Sequence, residues 1–184
     1  MIDRRQLLKA GLAAGFGSTL ERGAAAQGDA AAARPKEGDL LVKVGDRAGT
    51  PLTPADIPIA GAPLAAWAMD AADRTVRSGS RLNQLLLLRF DPQGLTPETR
   101  ARAADGVVAY SSICTHTGCD IEEWRGDEQQ LECACHFSIF DPKDGGKVVD
   151  GPAPRVLPAL PLTVAGGRLV VARGFLTPVG FEKG

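Results

Sequence analysis

Every cysteine and every histidine of this 184-residue chain falls within the 23 positions from Cys114 to His136. The pattern is Cys114-x-His116, a gap of sixteen residues, then Cys133-x-x-His136, with Cys119 and Cys135 inside the same frame. Thiolates and imidazoles gathered at such short spacings are ligands for a soft or borderline metal. A structural zinc ion would take four of the six and close tetrahedrally. An iron–sulfur cluster is commonly held by four thiolates, but one class holds one iron by two Cys and the other by two His. Two histidines satisfy either site.

The neighbouring residues separate these readings. "CTHTGC" (114–119), "CACHFSIFD" (133–141) and "GPAP" (151–154) follow one another in the order of three motifs. They resemble the two ligand boxes and the proline loop of Rieske iron–sulfur proteins, and the resemblance covers residues 107–173. It implies a [2Fe-2S] cluster with Cys114 and Cys133 on one iron and His116 and His136 on the other. It implies a Cys119–Cys135 disulfide joining the two ligand loops, and a covering loop of Gly151, Pro152, Ala153 and Pro154. In the family a hydroxyl at the position of Ser138 bonds a cluster sulfur and raises the potential. A tyrosine is often found two residues later, where this chain has Phe140, so its potential is expected below the top of the range. Imidazole in place of thiolate leaves less negative charge opposing an added electron, which puts Rieske centres at about −150 to +300 mV.

Such a chain is an electron carrier, and no catalytic residue is identified in it. Ring-hydroxylating oxygenases need two further histidines for a mononuclear iron, and both His here are already spoken for. Soluble Rieske ferredoxins lack the second cysteine pair and an export leader. The preferred resemblance is to the small subunit of arsenite oxidase-type periplasmic oxidoreductases. Its supports are "VAYSSICTHTGC", "CHFSIFD", and Phe137 where quinol-oxidising Rieske proteins have glycine. That reading implies a large, molybdenum-containing catalytic subunit as donor and a c-type cytochrome as acceptor. The alternative is the iron–sulfur subunit of a cytochrome bc1-type quinol oxidase. "GPAP" favours it, while Thr117, where that subunit has leucine, and the short polar leader count against it. A zinc-stapled binding module is the non-redox alternative.

The elements that must position these ligands are short strands. Candidates are Leu40–Val44, Leu64–Met69, Gln84–Phe90 and Val107–Ser111, followed by a hairpin of Leu162–Ala165 and Arg168–Arg173 turning at Gly166-Gly167. The run "LLLL" at 85–88 has no period of its own; its shortness and the Asp91-Pro92 boundary favour a buried strand. Thr96 followed by Pro97 marks the start of a short helix. Gly118, Gly145 and Gly146 read as turn residues, "KDGGK" as a hairpin turn, and Trp124 as a packing residue. The expected fold is all-β: an antiparallel β-sandwich with an inserted cluster-binding lobe at about residues 108–155. Arg74, Arg77 and Arg81 are expected on a solvated loop, with an interface as the alternative. The tail residues Phe175, Leu176 and Phe181 could pack on the base or on a partner.

The N-terminus carries "DRRQLLK", which resembles the twin-arginine signature of bacterial Tat export. Residues 1–27 therefore read as a signal peptide handled by the Tat machinery, 28–39 as a linker, and 40–184 as one domain in the periplasm. A retained membrane anchor is the other reading, but the charge-free run from Gly11 to Leu20 is short of the roughly 20 apolar residues a span needs. Cleavage removes four positive and two negative side chains, turning the net charge from −1 to −3. A mildly acidic chain argues against nucleic acid as partner. Between the boxes, Asp120, Glu122, Glu123, Asp127, Glu128 and Glu132 face only Arg125, a net of −5. This is either a solvated loop or a rim that steers a basic partner.

Overall fold

The computed structural model describes residues 28–181. The stretch read as an export signal, 1–27, lies outside them. Among the described residues no helix is long and apolar enough to cross a membrane.

Two antiparallel sheets make up the molecule. The larger, in the order β4-β3-β2-β1-β10-β9, is formed by β1 (Leu40–Lys43), β2 (Leu64–Met69), β3 (Leu85–Arg89), β4 (Val107–Ser111), β9 (Leu162–Ala165) and β10 (Arg168–Val171). The smaller, in the order β5-β6-β7-β8, is formed by β5 (Glu123–Arg125), β6 (Gln130–Cys133), β7 (Ser138–Asp141) and β8 (Lys147–Asp150). The second sheet falls between β4 and β9 in the chain, so it is an insertion into the first. The larger sheet curls on itself: Ser111 donates to Pro158 O and Leu160 to Ala109 O, which lays the approach to β9 along the free edge of β4. Closing an edge in this way leaves fewer unpaired backbone groups exposed.

The leucine run is a strand buried on both faces. Leu85 and Leu87 point into the core of the larger sheet with Leu41, Ala66, Val107, Ala109 and Leu169. Leu86 and Leu88 point the other way, into a second core with Val108, Tyr110, Cys114, Leu131, Cys133 and Phe140. A strand buried on both sides has no polar alternation to show, which is why "LLLL" carries no period. β3 and β4 are therefore a shared wall. One face fills the base and the other supports the lobe.

The hairpin β9–β10 turns at Gly166 and Gly167, with φ of 57° and 76°. Two successive positive φ values define a type I′ turn, which suits the strand twist and favours glycine. The short helix Pro97–Arg100 begins as expected, with Pro97 in its first turn and the Thr96 hydroxyl accepting from Thr99 N.

The arginine expectation is overturned at Arg77 alone, since Arg74 and Arg81 are exposed. Arg77 is 3% exposed and its guanidinium is clasped by both carboxylate oxygens of Asp39, with Asp70 as a second partner at 3.0 Å. A bidentate carboxylate satisfies the fork of an arginine and allows its burial. Arg74 donates to the carbonyls of Ala48 and Gly49. Arg81 donates to Gly118 O and pairs with Asp120. The three arginines tie loops together.

Residues 28–39 run along the domain. Residues 28–32 form a helical turn. The carbonyls of Ala31, Ala32 and Ala33 accept from Gly79 N and Asn83 Nδ2, and Arg34 donates to Leu82 O. At the other end of the chain, Phe175 packs on the core of the base and Leu176 on the second core. The tail thus lies on this chain's own domain.

Candidate metal centre

Three loops meet at the far end of the smaller sheet. The first leaves β4 and closes on itself, because Cys114 N donates to Cys119 O at 2.8 Å and Gly118 N to Cys114 O at 3.1 Å. This tight loop turns Cys114 inward, to 1% exposure. The second is the tip of the β6–β7 hairpin. Cys133 and Ser138 are cross-strand partners, and Phe137 N donates back to Cys133 O at 2.8 Å. The intervening residues, Ala134 to Phe137, are exposed. The third loop follows β8 and contains Gly151 to Pro154.

These loops are tied to one another in three ways. A disulfide joins Cys119 of the first to Cys135 of the second, with their Cα atoms 6.6 Å apart. Thr115 Oγ1 donates to Arg155 O at 2.8 Å, joining the first to the third. Ala153 N donates to Ser138 Oγ at 3.1 Å, joining the third to the second. A cross-link between distant positions restricts how far the two ligand loops can part.

The disulfide leaves two cysteines, Cys114 and Cys133, both buried and free. Burial pushes the Cys114 thiol above its ordinary value, the backbone N–H of His116 opposes this, and the adjacent Cys133 sulfur adds to the rise. Two neighbouring thiols in an apolar core pack as small hydrophobes, and they are also a pair that a metal can deprotonate and take. The sulfurs of Cys119, Cys133 and Cys135 also lie within 4.8 Å of one another. Two of those three are consumed by the disulfide, so that group is no ligand set.

His116 and His136 face each other edge-on, with ring centroids 4.6 Å apart. His136 is exposed and His116 half-buried. The Nδ1 atom of His116 is buried and has no hydrogen-bond partner in the protein. A buried imidazole nitrogen without a partner is costly unless something binds it. Two buried thiols, two facing imidazoles and an orphaned Nδ1 together fit a group that takes sulfur and nitrogen ligands at once.

Ser138 is fully buried. Its oxygen accepts from Ala153 N, and its hydroxyl, near the Cys114 sulfur, acts to lower that thiol's pKa against the effect of burial. Phe140 is fully buried in the core beneath the loops. It offers an apolar wall where a tyrosine would offer a donor. Gly151 has φ of +87°, and a Cβ there would stand 2.5 Å from Ser138 Cα and 2.6 Å from Phe137 O. The third loop can approach the second this closely only with glycine at that position.

Phe137 occupies the left-handed region at φ +58° and is 67% exposed. A bulky residue there costs roughly 1–2 kcal/mol. Thr117, on the first loop, is also exposed.

The acidic segment proves to be the β5–β6 hairpin. Arg125 pairs with Glu128 at 3.2 Å and Glu132 at 3.6 Å, while Asp120 pairs with Arg81. Glu122, Glu123 and Asp127 are exposed and form no ion pair among the described residues. Trp124 is half-buried against the lobe core, as a packing residue should be. The Arg81 contact and the contact of Phe181 with Gly118 were beyond sequence reasoning, since neither residue belongs to a motif.

Known proteins bear on this arrangement. The Rieske [2Fe-2S] domain family matches residues 70–161, half of the chain. The cytochrome bc1 complex Rieske iron-sulfur subunit of Streptomyces lividans is 32% identical over 154 residues, covering 80% of this chain and 89% of that protein. The putative respiratory nitrate reductase subunit Rieske of Haloferax mediterranei is 47% identical over 76 residues, 41% of this chain. This chain spans only 34% of the Haloferax protein, and 43% of the corresponding bc1 subunit of Streptomyces coelicolor. Among solved structures, the soluble domain of Rieske protein II (soxF) from Sulfolobus acidocaldarius aligns with 26% identity and a TM-score of 0.43, covering 55% of this chain and 66% of that one. The chain belongs to the Rieske [2Fe-2S] family, as an iron–sulfur electron carrier.

Proposed function

We propose that Cys114 and Cys133 hold one iron of the cluster and His116 and His136 the other. The observation that carries this is the orphaned Nδ1 of His116, buried beside a second imidazole and a pair of free buried thiols. When bound, the cluster supplies a one-electron couple at about −150 to +300 mV. The chain's own residues do the rest. Ser138 donates a hydrogen bond to the sulfur side, Phe140 and Leu131 keep water from beneath the centre, and the disulfide fixes the spacing of the loops. The exposed His136 presents the edge at which an electron is exchanged.

The complex served is, on this reading, a cytochrome bc1-type quinol–cytochrome c oxidoreductase. The Streptomyces lividans relative supports it, because its likeness runs over most of both chains. This reverses the preference taken from the motifs, since the relatives reported above are named for bc1 complexes and a nitrate reductase. A second reading, the small subunit of a periplasmic oxidoreductase with a large molybdenum-containing subunit, is favoured by one observation. Phe137 stands exposed at a backbone conformation suited to the glycine of quinol-oxidising proteins. Both readings place the protein outside the cytosol, exported by the Tat system, and "DRRQLLK" supports that placement.

Affinity purification of the full chain from its native cells tests the choice. Recovery with a b-type cytochrome and inhibitor-sensitive quinol oxidation is expected. Recovery with a molybdenum-containing subunit and no cytochrome b overturns the first reading in favour of the second.

A further inference from the structure

The C-terminal tail reaches the ligand loops and stays there. Arg155, which immediately follows the third loop, donates from Nη1 to Pro178 O at 2.8 Å and from Nη2 to Gly180 O. Gly180 is buried against Ile113 and Leu82. Phe181 then lays its ring on Gly118, so closely that a Cβ there would meet Phe181 Cδ1 at 2.9 Å. Arg81 donates to the carbonyl of the same residue, Gly118 O, at 2.7 Å. The first ligand loop is thus held at Gly118 by both the tail and the Ser80–Asn83 turn, which also touch each other at Gly180 and Leu82. The second carries no such cover: Ala134, Cys135, His136 and Phe137 are all exposed.

We infer that the segment Pro178–Phe181 is a strap that closes the His116 side of the centre and leaves the His136 side open. This rests on the ligand assignment proposed above and adds a direction to it. Arg155 is the buckle, since it fastens the strap to the loop that covers the cluster. Phe181 is a positioning residue, holding the first loop in place through Gly118.

Carbethoxylation of imidazole tests the strap. Diethyl pyrocarbonate attacks the accessible nitrogen of each histidine, and peptide mass spectrometry follows Cys114–Cys119 and Cys133–Phe137 separately over time. The protein is used with its cluster, and the EPR signal of the reduced form is recorded first; absence of that signal counts against the ligand assignment and not against the strap. In the full chain His136 is expected to react several-fold faster than His116. Phe181→Ala, and separately removal of residues 180–184, should raise the His116 rate several-fold and leave the His136 rate unchanged. Equal rates in the full chain overturn the inference, as does an unchanged His116 rate in either variant that keeps its EPR signal. Should the truncated chain lose its cluster, Phe181→Ala decides the matter, because it shortens one exposed side chain and leaves the Arg155 contacts intact.

Discussion

Ala153 and Ser138 are joined by one hydrogen bond, 3.1 Å from the amide to the hydroxyl oxygen, and it leaves the Ser138 proton free to donate elsewhere. The same hydroxyl lies near the Cys114 sulfur, on the side where the proposed centre would be held. A hydrogen bond to a sulfur that gains negative charge on reduction favours the reduced state. Hydrogen bonds to charged groups contribute about 1.5–3 kcal/mol, which for a one-electron couple is about 60–130 mV. Ser138→Ala should lower the midpoint by that amount with the EPR signal retained. Phe140→Tyr, which restores a donor, should raise it. Redox titration of both variants checks the pair, and an unchanged or lower midpoint in Phe140→Tyr removes the tuning role given to that position.

The clasp between Arg77 and Asp39 predicts a large stability effect far from the cluster. Removing one partner of a buried ion pair strands the other and costs about 3–5 kcal/mol. Arg77→Ala should lose that much in denaturant unfolding, while Arg77→Lys, which keeps charge but loses the bidentate fork, should fall between. A loss below about 1 kcal/mol in Arg77→Ala would contradict the buried pairing.

Acid should unfold the protein partly through Asp70. Its carboxyl is held down to about 2 from an ordinary 3.8, by its hydrogen bond to Lys36 first and by the amide of Ala72. A carboxyl whose folded value is depressed stabilises the fold above its unfolded value, and that contribution disappears as pH falls through the folded one. Stability should therefore decline between about pH 4 and pH 2. Asp70→Asn should make thermal unfolding less sensitive to pH across that window, and a variant with the same slope as the parent would count against this role.

How much of this was legible in the sequence depends on where the information sat. Leu64–Met69, Val107–Ser111 and Leu162–Ala165 are strands as read, because their boundaries are marked by turn residues and their burial is local. The disulfide and the four proposed ligands could be named from the sequence because each box is a short motif with fixed spacing inside it. Arg77 was not, since its partner Asp39 lies 38 residues away and no local pattern signals a buried guanidinium. The strand β5 was missed for a related reason. "EWR" is too short to show an alternation around its one apolar side chain, Trp124, and it is held by pairing with Gln130–Glu132. The position of Phe181 is likewise a product of topology, which returns the tail to the first ligand loop.

The unpaired acids of the β5–β6 hairpin predict a salt-sensitive partner. Exposed charges of one sign raise association rates with a basic partner, and screening removes the gain. Replacing Glu122, Glu123 and Asp127 by their amides should slow electron transfer to a basic c-type cytochrome about tenfold at low ionic strength and flatten its salt dependence. Stopped-flow rates over a salt series measure this. If the parent's rate barely responds to salt, the hairpin is a solvated surface and nothing more.

The ligand assignment itself is open to pulsed EPR of the reduced protein, produced with nitrogen-15 in its histidines only. Two strong nitrogen couplings are expected, one from His116 and one from His136, since the chain has no other imidazole. A paramagnetic centre without histidine nitrogen coupling, or a colourless protein carrying zinc alone, would contradict it.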